Sequence, residues 1–261
     1  MTDVVKSTIK KCLRTFIPRR TRLRLQQFYL NQRFHINTHL GRFPKLFFAV
    51  HKTLGIYQGR LVTDVTDIVI EGAPRVASSY VEHALQICQM RPLKIASHTH
   101  APASVIYAGR LGIPTLVIIR EPYSAVRSAI LRMPHLPHRY IVDRYYQFYR
   151  RLEFEAITFV VADFTEVIEN LGQVVDRINQ FYGTSFDRYE STVANEKMVF
   201  ESLLERDQVT GASLLQSYAP NEHKRFTKDR IVINSEITKM NECVKIYESL
   251  SPVCNGGTRH A

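Results

Sequence analysis

The first sixty residues contain one acid. Against Asp3 stand 13 Lys/Arg, a local balance of +12 in a chain whose whole net charge is +11. The rest of the chain is therefore close to −1 (11 − 12), so the basic character belongs to residues 1–60 and not to the fold that follows. Long apolar runs are also missing, which excludes a transmembrane helix. Lys6, Lys10, Lys11 and Arg14 interrupt the apolar block that a secretory leader needs, so a cytoplasmic protein is expected. Cysteine is sparse. Cys12, Cys88, Cys243 and Cys254 show neither metal-like nor paired spacing, which points to free thiols in a reducing compartment. No internal repeat or low-complexity segment is present. No nucleic-acid-binding module accompanies the charge, and no nucleic-acid partner is expected.

Residues 1–60 read as a basic, helical N-terminal extension. Thr21 is a candidate cap for a helix carrying Leu25, Phe28 and Tyr29, and Phe43 to Val50 forms a second apolar patch. A basic amphipathic start can lie on an anionic membrane surface as a peripheral contact. A helical collar packed on the domain, with its charges in water, fits the same residues.

From Asp67 the pattern alternates strand and helix. Asp67–Glu71, Leu93–Ala96, Thr115–Ile119 and Ile157–Val161 read as short apolar strands. Between and after them come helices over Ala103–Leu111, Tyr123–Arg132 and Arg139–Phe154. A further helix follows a capping pair, Asn170 and Gln173, and ends at Gly183. Helices over 196–206 and 235–250 complete the chain, before a loose tail at 251–261. This predicts a three-layer α/β domain over 61–250, helical from about 196, with a central, mostly parallel sheet and helices on both faces. Ligands of such sheets bind beyond the C-terminal strand ends.

Three segments fall at those ends. The first is Gly72 to Tyr80, a tight loop between a strand and a helix with Ser78 placed as the helix N-cap. Such a corner suits a phosphate, although a βα corner can also bind nothing. It is not a nucleoside-triphosphate loop. From Gly72, Ala77 stands where that loop has its second Gly, and Ser78 where it has its Lys. The second is Arg120, at the end of the most apolar strand, where an NTPase would carry an acid for magnesium. Ser128 follows eight residues later, so both can reach one anion. Arg120 could equally pair with Glu121 or a sheet-end carbonyl. Cations at both strand ends attract a phosphorylated ligand without a metal. The third is Ser97-His98-Thr99-His100-Ala101-Pro102. A neutral His there can serve as base for an acceptor hydroxyl. If the segment is extended, one of the two His faces the site and the other turns away. No third ligand has useful spacing for zinc.

Together these segments resemble the sulfotransferases that use 3′-phosphoadenosine 5′-phosphosulfate (PAPS), most closely small bacterial members. The family's 5′-phosphosulfate loop, P-[KR]-S-G-T-T-[WFL], is similar to Pro74-Arg75-Val76-Ala77-Ser78-Ser79-Tyr80. Its 3′-phosphate element, R-x-P-x-x-x-x-x-S, matches Arg120, Pro122 and Ser128. Its T-H-x-P element resembles Thr99-His100-Ala101-Pro102, and Phe159 to Phe164 with Phe181-Tyr182-Gly183 resembles a later strand and helix end. The likeness spans Asp67 to Phe186.

The resemblance implies a metal-independent transfer of a sulfuryl group from PAPS to a hydroxyl on a sugar, lipid or small molecule. By that likeness Arg75 contacts the bridging oxygen, Ser78 and Ser79 with the loop N–H groups hold the 5′-phosphate, and Arg120 and Ser128 hold the 3′-phosphate. His100, or else His98, takes the acceptor proton. Two residues depart from the pattern. Val76 replaces a Ser, and Ala77 replaces a Gly, at a cost of roughly 1 kcal/mol if φ is positive there. The family's late R-K-G element has no clean counterpart; His223-Lys224-Arg225 is the nearest. A nucleotide-binding or membrane-surface module that keeps the fold without catalysis is the alternative.

Overall fold

Residues 19–211, 222–233 and 237–252 are described in the computed structural model. Cys12, Cys254 and most of the expected tail lie outside the described residues. Four strands form one parallel sheet in the order β2-β1-β3-β4: β1 Ile68–Glu71, β2 Ile95–Ser97, β3 Thr115–Ile119 and β4 Val160–Asp163. Their runs of Val, Ile and Leu are buried on both faces, as a covered parallel sheet requires. Ile68 and Ile70 pack in the main core, while Val69 turns into a smaller one with Phe47, Phe48, Ala103 and Ala108.

Helices cross between the strands. α3 (Ser78–Cys88) joins β1 to β2, and α4 (Pro102–Arg110) joins β2 to β3. α5 (Pro122–Arg132) and α6 (His138–Leu152) precede β4. After it come α7 (Phe164–Glu169), α8 (Leu171–Tyr182), α9 (Val193–Thr210), α10 (Glu222–Asp229) and α11 (Ile237–Leu250). Ahead of the sheet lie α1 (Arg19–Leu40) on α6 and α2 (Pro44–Thr53) on α4. The chain leaves β1 toward β2 and returns across β1 to β3. The connections therefore diverge between β1 and β3, the place where open parallel sheets bind ligands. Among the described residues no helix is long and apolar enough to cross a membrane.

Some expected bounds move. The second strand begins at Ile95, because side chains take the bonds of the residues before it: Gln86 Oε1 accepts from Leu93 N–H, and Asp67 Oδ2 from Lys94 N–H. The fourth strand starts at Val160, and Ile157 is a core residue of the loop ahead of it. Asn170 makes no side-chain cap. The capping box lies earlier, at Asp163 and Glu166, and opens α7, which at six residues is too short to show a period.

Candidate functional site

The turn after β1 is built by exclusion. A Cβ on Gly72 would lie 2.4 Å from the Ile118 carbonyl oxygen and 2.6 Å from Val76 Cγ2, so only glycine fits. Ala73 N–H donates to Tyr149 Oη at 3.1 Å, and Tyr149 O–H donates to the Ile118 carbonyl at 2.7 Å. One buried tyrosine thus ties the turn to β3. Val76 is 1% exposed and belongs to the main core. Its side chain therefore does not line the cavity, and only its backbone N–H is left for the expected place in the phosphate loop. Ala77 has φ 78° and is the N-cap of α3; Ser78, expected there, is the first helical residue. The first bond of α3 runs from Val81 N–H to the Ala77 carbonyl, and no side chain caps the N–H groups before it. Those groups, with the helix dipole, face the site. Ser78 Oγ is buried with no hydrogen-bond partner.

Arg120 and Ser128 meet this turn. Arg120 Nη1–H donates to the Arg75 carbonyl at 2.9 Å, and Arg75 Nε–H donates to Ser128 Oγ at 3.3 Å. The Arg120 guanidinium stacks 3.7 Å from the centre of the Phe164 ring. Burial pulls its pKa down to about 10, against the charges of Glu121 and Asp163. Glu121 does not pair with it, because its carboxylate caps α5 by accepting from Tyr123 N–H and Ser124 N–H. Lys228, from α10, joins the same wall. Burial, then the charge of Arg120, lowers its pKa.

The histidines both line the cavity. The alternation expected of an extended segment fails because His98 has φ 60° and His100 φ 48°. Glu71, the last residue of β1, sets this shape. Fully buried, it accepts from Thr99 N–H at 2.9 Å, Thr99 Oγ1–H at 2.6 Å and His100 N–H at 3.0 Å. Burial pushes its pKa up to about 7, opposed by those bonds and by the Arg144 charge. His100 Nδ1 lies 2.9 Å from the Gly72 carbonyl, so Nδ1 carries the proton and Nε2 is a free acceptor. Desolvation, then the charges of His98 and Arg144, draws the His100 pKa down to about 3. His98 Nε2 lies 2.5 Å from Glu82 Oε2. Burial raises the Glu82 pKa, but the bond to His98 and the charges of His98 and Arg206 outweigh it and leave it lowered.

No family model matches the chain, and no curated protein does.

The turn, Arg120, Ser128 and both His border one cavity of about 800 Å³. That is toward the upper end for small-molecule sites, with room for two reactants. Its wall carries Arg33, Arg75, Arg120, Arg132, Arg144 and Lys228 and, among the described residues, no Asp or Glu. Among the described residues, all five non-glycine residues with positive φ border it: Tyr57, Arg75, Ala77, His98 and His100. Strain of this kind costs of order 1–3 kcal/mol per residue and gathers at functional sites.

Of the expected residues, Arg75, Ala77, Ser78, Ser79, Tyr80, His98, His100, Arg120 and Ser128 share this cavity. Lys224 and Arg225 fall in α10, but their side chains lie outside the described residues. Lys228, one turn on from Lys224, lines the wall. Glu71, Glu82, Arg144 and Lys228 escape the sequence reading. Glu71 alone had a signal: an acid closing an apolar strand that is buried on both faces.

Proposed function

We propose that the protein transfers a sulfuryl group from PAPS to a hydroxyl acceptor. One observation carries the reading: the 74–80 turn, the Arg120–Ser128 pair and two histidines face a single cavity whose wall, among the described residues, has cations and no carboxylate. Uncapped N–H groups at the start of α3, with Ser78 and Ser79, suit the 5′-phosphate. Arg120, Ser128 and Lys228 suit the 3′-phosphate. Arg75 bridges the two sets, since its side chain bonds Ser128 and its carbonyl bonds Arg120. Fixed cations on that wall can take the charge that develops on the leaving phosphate.

In the reaction the acceptor oxygen forms a bond to sulfur as the bond from sulfur to the bridging oxygen breaks. The electron pair leaves with adenosine 3′,5′-bisphosphate. The acceptor proton passes to a cavity histidine. His98 is the better supported, because the Glu82 carboxylate at 2.5 Å offsets an imidazolium there. With Nε2 held by Glu82, Nδ1 is the basic atom. His100 is tied to the Gly72 carbonyl and disfavours charge, so it serves as a neutral positioning group.

Calorimetric titration with adenosine 3′,5′-bisphosphate in EDTA tests the donor site. Incubation with labelled PAPS and a panel of hydroxyl acceptors tests transfer. No binding in EDTA would sink the reading. Binding without transfer to any acceptor would favour a nucleotide-binding module without catalysis, for which the Ala77 departure speaks; Val76, a core residue, does not.

A further inference from the structure

Part of the cavity is left over once the donor residues are assigned. Leu30, Arg33, Phe34 and Asn37 of α1 line it, with Met133, His135 and Leu136 of the loop between α5 and α6, and Arg144 of α6. Its character is mixed: aliphatic and aromatic carbon beside two guanidinium groups.

Arg144 is the unusual member. It is 5% exposed, yet its bonds go to neutral oxygens. Nη2 donates to the Thr99 carbonyl at 2.8 Å and Nη1 to Thr38 Oγ1 at 3.4 Å, while Nε is buried without a partner. The nearby acid, Glu71, holds Thr99 and His100 instead. A buried cation without a bonded anion is costly, commonly by several kcal/mol. Its guanidinium also stacks 4.8 Å from the centre of the Phe34 ring, so it marks the seam between the cationic and apolar surfaces. Arg33, one residue before Phe34, adds a second positive charge at the exposed rim.

We infer that the acceptor is an anionic amphiphile: a hydroxyl-bearing molecule with an apolar body and a carboxylate or similar anion. Leu30, Phe34, Met133 and Leu136 cover the apolar body, and Arg144 with Arg33 holds the anion. This rests on the sulfotransferase reading and narrows it, since neutral sugars would leave Arg144 without a bonded anion.

The test uses the whole chain and two probes with the same hydroxyl, ω-hydroxylaurate and its methyl ester. Transfer from labelled PAPS is measured for each, and so is direct binding of each by calorimetry without donor. The expected result is about a tenfold preference in kcat/KM for the acid, the order of one charge-assisted contact. The same preference should appear in binding. Arg33→Gln, on an exposed side chain that leaves the core intact, should reduce the ratio severalfold, and Arg144→Lys should reduce it further. Equal use and equal binding of the two probes would overturn the inference, as would a ratio that neither variant changes. Adenosine 3′,5′-bisphosphate is titrated in parallel. If it binds while neither probe is bound or sulfated, the acceptor class is wrong and the donor reading survives. If it fails to bind, the donor reading fails, and probe binding still decides whether this wall selects an anion.

Discussion

Arg120 holds the backbone of Arg75: its Nη1–H donates to the Arg75 carbonyl at 2.9 Å. A residue at the tip of β3 thereby fixes the turn that follows β1. The same residue lines the cavity, with its guanidinium over the Phe164 ring at 3.7 Å from the centroid.

Arg120→Ala therefore removes a turn support and, on the proposed function, a ligand contact as well. Losing one charge-assisted contact costs about 1.5–3 kcal/mol, which is roughly ten- to a hundredfold in affinity for adenosine 3′,5′-bisphosphate. Arg120→Lys should recover little, because an ammonium cannot stack on Phe164 and reach two oxygens at once. Calorimetry on the three proteins checks this. Equal affinities would remove Arg120 from the site.

The turn itself allows two substitutions of opposite sign. Gly72→Ala drives a Cβ to 2.4 Å from a backbone oxygen of β3, and the strand cannot yield. A loss of about 3 kcal/mol is expected from such overpacking. Ala77→Gly relieves a left-handed residue at φ 78°. The relief of about 1–2 kcal/mol exceeds the added freedom of the unfolded chain, leaving a net gain of about 0.5–1 kcal/mol. Thermal denaturation separates them: Gly72→Ala should melt well below the parent and Ala77→Gly slightly above it. An unchanged or lower melting point for Ala77→Gly would mean that the turn gains nothing from glycine.

The sheet was legible because its strands are short runs of Val, Ile and Leu bounded by Gly, Pro or charge. Thr115–Ile119 matches to the residue, and Gly183 ends α8 in the left-handed conformation expected of it. The site was legible where a residue sits at a strand end, as Arg120 does. It was illegible where long-range bonds decide the shape. Nothing in Thr99 or His100 shows that Glu71, 28 and 29 residues earlier, bends their loop so that both histidines face one way. Arg144 is hidden for a related reason. On a helix it looks like an ordinary surface charge, and only the packing of α1 on α6 encloses it.

Tyr149 offers a test of the support behind the turn. Its hydroxyl accepts from Ala73 N–H and donates to the Ile118 carbonyl, and the side chain is fully buried. Tyr149→Phe leaves both backbone groups without their bridge. At about 1–3 kcal/mol for each of the two unsatisfied groups, the variant should lose roughly 2–6 kcal/mol. Urea denaturation measures the loss. The Ala73 amide should also exchange with deuterium faster than in the parent. Slow exchange at Ala73 in the variant would show that another group holds the turn.

Glu71 and His100 give stability a particular dependence on pH. The folded-state pKa of Glu71, about 7, lies above its ordinary 4.5, so the folded protein binds the extra proton between these values. Stability from this group therefore falls as pH rises from about 4.5 to about 7, by about 3 kcal/mol in total. His100 has the opposite displacement, from 6.5 down to about 3, so the unfolded chain binds the extra proton and stability falls as pH drops through that window. Between about 4.5 and 6.5 the two slopes oppose one another and stability should be nearly level. Of these two groups, only His100 contributes a slope below 4.5 and only Glu71 above 6.5. Glu71→Gln keeps a hydrogen-bond acceptor and removes the titration, so its stability should no longer decline between pH 6.5 and 7. His100→Gln should flatten the acid limb below 4.5. Chemical denaturation across pH, run on the parent and both variants, reads each limb separately. A parent curve that keeps falling through the middle window would show that one of the two groups titrates near its ordinary value in the folded protein.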